Sequence, residues 1–108
     1  AFANTIEALT RGVSYLDVTV SGMGRGAGNC ASEILLGFLK NPKYNILPIL
    51  DILENEIEPL KEQGVVWGYN IPYLLTGQLN QHPRTAIAAT KEKRTDYRNF
   101  YVELVDYK

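Results

Sequence analysis

The sequence is poor in the residues that form crosslinks and bind transition metals: its 108 residues include one cysteine, Cys30, and one histidine, His82. A single cysteine excludes an internal disulfide and a cysteine-clustered zinc site. A single histidine excludes a two-histidine metal centre built by this chain alone. Any metal bound here would therefore need ligands from elsewhere.

The sequence also lacks an excess of charge and a long apolar run. Its 11 basic and 12 acidic residues give a formal net charge of −1, so we expect neither nucleic acid nor a membrane surface as a partner. No apolar stretch approaches the roughly 20 residues that span a bilayer, and the first residues do not have the layout of a signal peptide. These features predict a cytoplasmic protein of at most one domain.

Two segments have the composition of β-strands. In residues 14–20, SYLDVTV, apolar and polar side chains alternate, and residues 65–70, VVWGYN, carry no charge. Helical spacing of apolar residues predicts helices between and after them, including one over residues 46–60 that bends or breaks near Pro59. Strands separated by helices favour an α/β fold with parallel strands, but two strands are too few for a complete sheet of that kind.

The most distinctive motif is GMGRGAGN, residues 22–29, between the first predicted strand and a helix. Alternating glycines let the backbone turn sharply and approach a ligand closely. Gly22, Gly24 and Ala27 formally satisfy the spacing of a dinucleotide-binding loop, but the acidic residue nearest the required position, Asp51, lies within a predicted helix. A tight turn without a ligand is the other alternative.

Two longer stretches carry a resemblance to a known family. Residues 3–39, ANTIEALTRGVSYLDVTVSGMGRGAGNCASEILLGFL, and residues 46–83, which contain VVWGYNIPYLLTGQLNQHP, resemble the late part of metal-dependent aldolases and lyases. That family includes 4-hydroxy-2-oxovalerate aldolase, hydroxymethylglutaryl-CoA lyase and isopropylmalate synthase. The hydroxyoxovalerate branch fits best, because the CoA-lyase branch has a longer glycine loop containing a catalytic cysteine.

The resemblance implies an α/β fold: a partial TIM barrel of about two parallel strands with covering helices, followed by a helix-rich carboxy-terminal region. Residues 1–70 would form the barrel part and residues 71–108 the helical region. The implied activity is metal-dependent cleavage of a 4-hydroxy-2-oxo acid to a 2-oxo acid and an aldehyde. Because the family's aspartate and His-x-His metal ligands are absent, we expect this chain alone to be inactive and to bind no metal.

The resemblance also assigns candidate site residues. Asn29 would approach the Mn²⁺ or Mg²⁺ ion of the complete enzyme, and Gly26, Ala27 and Gly28 would close over the 2-oxo acid substrate. Asn29 could instead cap the following helix. Tyr69 matches a catalytic tyrosine of the family, although Tyr73 competes for that match.

An alternative function is a non-catalytic helical interaction module. In the hydroxyoxovalerate family the carboxy-terminal region contacts an aldehyde dehydrogenase, and an apolar stripe here could serve that contact. Its members are Tyr97, Phe100, Tyr101 and Leu104. Core packing is the commoner use of such a stripe.

For the chain alone we expect self-association, because its strands and apolar helix faces would lack the rest of a barrel.

Overall fold

The structure, a computed structural model, describes residues 1–106, which form helices joined by irregular segments. The helices are α1 (Phe2–Thr10), α2 (Ser32–Leu39), α3 (Leu47–Ile52), α4 (Glu58–Glu62), α5 (Ile71–Gln78), α6 (Arg84–Lys91) and α7 (Tyr97–Asp106). A short 3-10 turn covers Val20–Gly22, and a π-helical turn covers Leu53–Ile57. The chain divides into two compact units, Ala1–Gly68 and Tyr69–Lys108.

The predicted partial barrel with parallel strands is wrong, because residues 1–106 contain no β-strand. Residues 14–20 make one isolated parallel bridge, from Thr19 to Ala31, and residues 65–70 belong to no strand. Alternation in a sequence decides which side chains share a face, but a strand also needs a neighbouring segment to complete its hydrogen-bond ladder. These two segments find no such neighbour, and Tyr15 and Val66 are accordingly 93% and 76% exposed.

The helix-rich character of the carboxy-terminal region is confirmed by α5, α6 and α7, and two helices of the first unit have clear local causes. α1 is followed by Gly12, whose φ of +87° is the left-handed conformation that commonly ends a helix. α2 begins three residues after the end of the glycine motif, as the position of Leu35 and its apolar neighbours predicts. Each of these helices thus follows from local spacing and a local stop residue.

The predicted disturbance near Pro59 appears as the π-helical turn that separates α3 from α4. Proline lacks the amide hydrogen that would continue the helix, and its ring collides with the carbonyl four residues earlier. A wider turn just before Pro59 gives that ring room. The helical path therefore continues past the proline instead of ending there.

Each unit has a small core of its own. In the first unit Cys30, Leu35 and Ile57 are buried, and Cys30 is the small buried apolar residue that its position predicts. In the second unit a cluster of Ala89, Phe100 and Leu104 is covered by Leu75 and Leu79. The carboxamide of Asn70 caps α5 by accepting the backbone N–H of Tyr73.

Candidate functional site

The glycine motif begins with a tight turn of two left-handed residues. Ser21 has φ +59° and ψ 16°, and Gly22 has φ +65°. The turn is closed by the N–H of Met23, which donates to the carbonyl oxygen of Val20 at 3.1 Å. Two successive residues with positive φ resemble a type I′ turn, in which asparagine and glycine are favoured and serine is unusual.

The far end of the loop returns to this turn through backbone contacts that only glycine allows. The N–H of Asn29 donates to the carbonyl oxygen of Gly22 at 2.8 Å. Gly28 has φ +82°, and a Cβ atom there would lie 2.7 Å from the same carbonyl oxygen. A Cβ on Gly22 would likewise lie 2.7 Å from the carbonyl oxygen of Asn29. The two ends of the loop are therefore held together by contacts between backbone atoms.

Asn29 presents its side-chain amide in a defined orientation. Its Nδ2 donates to the carbonyl oxygen of Met23 at 2.9 Å, and the side chain is exposed. A Cβ on Gly24 would overlap that amide nitrogen, so glycine makes the room that it occupies. Within residues 1–106 the amide oxygen of Asn29 accepts no hydrogen bond, which leaves it available to a ligand.

The alternative role of Asn29 as a helix cap is wrong. The N-cap residue of α2 is Ala31, and no side chain caps that helix end. The amide of Asn29 points back into its own loop instead. Glu33, which could have assisted a cap, accepts the N–H of Ser21 at 2.9 Å.

A second segment of the first unit supports the loop from the side. The indole Nε1 of Trp67 donates to the carbonyl oxygen of Ser21 at 3.0 Å, and the N–H of Gly68 donates to the carbonyl oxygen of Gly26 at 3.1 Å. The Nζ of Lys61 lies 5.9 Å from the centroid of the Trp67 ring. A groove of about 400 Å³ beside the loop is lined by Ser21, Lys61, Val65, Val66, Trp67 and Gly68.

The predicted substrate loop, Gly26–Ala27–Gly28, and Asn29 thus lie together in the first unit. Tyr69 is the first residue of the second unit, and its side chain is 74% exposed. An exposed position excludes a role for Tyr69 in the core of this chain. Tyr73 is partly buried on α5.

The described residues offer at most part of a metal site. No group of three or more His, Cys, Asp or Glu side chains within residues 1–106 is placed to hold a metal ion. Hard divalent cations take six or more oxygen ligands. The amide oxygen of Asn29 fits one of those positions, and the remaining ligands would have to come from outside this chain.

Sequence reasoning missed Glu33 and Trp67 as partners of the loop. Trp67 lies 46 residues from Ser21 along the chain, and no periodicity or motif connects positions so far apart. Glu33 carried a weak signal, since an acidic residue in the first turn of a helix is explained by the helix dipole alone. Only the folded path of the chain shows that the two side chains bind the two peptide groups on either side of Ser21.

The apolar stripe proposed for a partner surface is divided between two uses. Phe100 and Leu104 are buried in the core of the second unit, whereas Tyr97 and Tyr101 are exposed. Half of the stripe therefore serves core packing. The exposed half leaves the interaction module as a prediction.

The first unit of this helix-rich chain thus contains a closed glycine loop in which the side-chain amide of Asn29 is held and exposed. The chain is similar to the carboxy-terminal part of 4-hydroxy-2-oxovalerate aldolases. It is 28% identical over 109 residues to the 4-hydroxy-2-oxovalerate aldolase of Carboxydothermus hydrogenoformans. It is 30% identical over 110 residues to the 4-hydroxy-2-oxovalerate aldolase of Moorella thermoacetica. Each match covers 96% of this chain and 32% of the relative. The predicted resemblance is confirmed.

A shorter match has higher identity. Over 40 residues the chain is 52% identical to the oxaloacetate decarboxylase of Mycobacterium tuberculosis, which covers 37% of this chain and 12% of that protein. No family model and no solved structure matches the chain. The chain spans about a third of the length of the curated aldolases, and none of its described helices is long and apolar enough to cross a membrane.

Proposed function

We propose that this chain is part of a divalent-metal-dependent aldolase that cleaves a 4-hydroxy-2-oxo acid to a 2-oxo acid and an aldehyde. The observation that carries the proposal is the closed glycine loop, which fixes the amide of Asn29 and leaves its oxygen free. The similarity to several 4-hydroxy-2-oxovalerate aldolases supports the reaction class.

In this proposal the loop residues have separate roles. Asn29 supplies one oxygen ligand to the Mn²⁺ or Mg²⁺ ion, while Gly26, Ala27 and Gly28 bring backbone against the bound 2-oxo acid. The metal, when bound, polarises the 2-oxo group and stabilises the negative charge that develops on it as the carbon–carbon bond breaks. The exposed hydroxyl of Tyr69 donates a hydrogen bond to the substrate or moves a proton at its 4-hydroxyl group.

The chain alone is proposed to be inactive. One amide oxygen cannot hold a hard cation against water, because such ions need several oxygen ligands at once. The other ligands, and with them the catalytic site, would be completed by the remaining part of the enzyme. An aldehyde dehydrogenase that receives the aldehyde is the partner that the family resemblance suggests.

The test is a pyruvate-release assay with a 4-hydroxy-2-oxo acid and Mn²⁺, run on the 108-residue chain and on the complete polypeptide that contains it. We expect activity only in the complete polypeptide. Replacing Asn29→Ala there should lower kcat/KM by roughly 100-fold, the scale on which metal-site contacts act. The matched control is Asn55→Ala, because Asn55 is also exposed and also donates its Nδ2 to a backbone carbonyl.

Two results would contradict the proposal. One is aldolase activity in the 108-residue chain by itself, and the other is an Asn29→Ala enzyme as active as the Asn55→Ala control.

The match to an oxaloacetate decarboxylase favours a second substrate, oxaloacetate, for the same assay. Release of CO₂ without an aldehyde, above the rate with Mn²⁺ alone, would identify decarboxylation as the reaction.

A further inference from the structure

We infer that Glu33 and Trp67 are positioning residues, which hold Ser21 in its left-handed conformation and thereby fix the loop that carries Asn29. The inference rests on the proposed function only for its link to metal binding. The contacts themselves belong to residues 21–33 and 61–68 of the first unit. Among the described residues neither side chain is hydrogen-bonded to Asn29.

Ser21 occupies a backbone conformation that serine does not favour. At φ +59° its Cβ crowds the following carbonyl oxygen, and such residues persist only where their surroundings hold them. Both polar groups flanking this residue are held by side chains: the Ser21 N–H by the carboxylate of Glu33 at 2.9 Å, and the Ser21 carbonyl by the indole of Trp67 at 3.0 Å. Both hydrogen bonds are partly buried, which strengthens them.

The conformation of Ser21 is transmitted to Asn29 through one residue. Gly22 follows Ser21 directly, and its carbonyl oxygen accepts the N–H of Asn29 and lies against Gly28. If Ser21 relaxes to a negative φ, that carbonyl turns away and Asn29 loses its backbone partner. The orientation of the side-chain amide of Asn29 therefore depends on Glu33 and Trp67, although neither residue is hydrogen-bonded to that side chain.

The first test measures hydrogen exchange of loop amides in the 108-residue chain, without metal or substrate. Glu33→Ala and Trp67→Phe should each speed exchange of the Asn29 and Met23 amides about tenfold, since each removes one partly buried hydrogen bond. Glu33→Gln keeps an oxygen acceptor and should stay within about twofold of the unmodified chain. Glu62→Ala, which alters a glutamate on α4 outside the loop, is the matched control.

A second substitution separates positioning from general damage. Glycine adopts positive φ without strain, so adding Ser21→Gly to Glu33→Ala should return loop exchange to within about threefold of the unmodified chain. Unchanged loop exchange in both single variants would overturn the inference. So would faster exchange spread equally over α5 to α7, or a double variant no better than Glu33→Ala.

The link to metal binding is tested in the complete polypeptide. Glu33→Ala should raise the Mn²⁺ concentration for half-maximal activity about tenfold while KM for the 2-oxo acid changes less than threefold. An unchanged Mn²⁺ requirement, in a variant whose loop exchange is faster, would overturn that link. If the complete polypeptide has no aldolase activity, the proposed function fails, and the exchange experiment still decides the role of Glu33 and Trp67.

Discussion

The orientation of the Asn29 side chain also depends on two glycines, at positions where a larger residue would not fit. Gly24 leaves the space that the Asn29 amide nitrogen fills, and Gly28 lets the chain pass close to the carbonyl of Gly22. An alternating glycine motif could have served a nucleotide or a simple turn. In its folded form the Asn29 side chain is exposed, and an amide oxygen is the type of ligand that the proposed function requires.

Gly28→Ala tests the close approach at the end of the loop, and Gly64→Ala is its matched control. Both residues have positive φ, +82° and +89°, but a Cβ on Gly64 meets nothing within 4 Å. Each change should cost about 1 kcal/mol for the left-handed backbone, and Gly28→Ala about 1–3 kcal/mol more for the collision. Urea unfolding followed by the fluorescence of Trp67, the single tryptophan, measures both. Equal costs would show that the collision is relieved without strain.

Gly24→Ala tests the space beside the Asn29 amide. The added methyl group should displace that amide from the carbonyl of Met23 and raise the Mn²⁺ requirement of the complete polypeptide about tenfold or more. In an Asn29→Ala background the same substitution should have little further effect, because the group that it displaces is gone. Two independent, additive losses in this double-mutant cycle would argue against the proposed geometry.

At the scale of elements, local signals were sufficient for helices and insufficient for strands. α1 and α2 follow from side-chain spacing and from residues that end helices, and these signals lie within a few positions of each helix. The strands predicted at residues 14–20 and 65–70 depended on partners that local sequence cannot specify, and the structure has none among the described residues. For the same reason Asn29 could be identified as a candidate from its motif, whereas its distant support from Trp67 could not.

An ion-pair cluster joins α7 to the segment before it. Arg94 contacts Asp96 at 2.8 Å and Glu103 at 3.0 Å, and its guanidinium lies 5.2 Å from the centroid of the Phe100 ring. Arg94 donates hydrogen bonds to the carboxylates of Asp96 and Glu103. These bonds, the one to Asp96 first, raise the pKa of Arg94, which stays charged. The Arg94 hydrogen bond in turn holds the pKa of Asp96 below its ordinary value.

This cluster predicts an acid-sensitive second unit. The pKa of Asp96 is lower in the folded state than in the unfolded state. The stability that Asp96 contributes is therefore present above the ordinary pKa of aspartate, and it is lost as the pH falls through the lower folded value, below about pH 4. Asp96→Asn should reduce the drop in melting temperature between pH 6 and pH 3, measured by circular dichroism, and Asp106→Asn is the control. The groups are exposed, so the difference should be small and should shrink in 1 M NaCl. An identical drop in both variants would contradict the prediction.

At the scale of the whole molecule, more large apolar side chains are exposed than buried among the described residues. In the first unit Tyr15, Leu47 and Val66 are 93%, 61% and 76% exposed. Apolar surface of this kind associates with other apolar surface when it finds a partner. In the proposed enzyme that partner is the rest of the polypeptide, and the isolated chain would have only further copies of itself.

We therefore predict that the isolated 108-residue chain self-associates in a concentration-dependent way. Leu47→Lys with Val66→Lys should shift the mass measured by light scattering towards the 12.1 kDa monomer, because both positions exchange exposed apolar surface for a solvated charge. Gln63→Lys with Gln78→Lys adds the same charge at exposed polar positions and should leave the association in place. If the unmodified chain is monomeric across the concentration range, the exposed apolar side chains do not drive association and the prediction is wrong. If both double variants dissociate equally, the effect comes from the added net charge and not from these apolar surfaces.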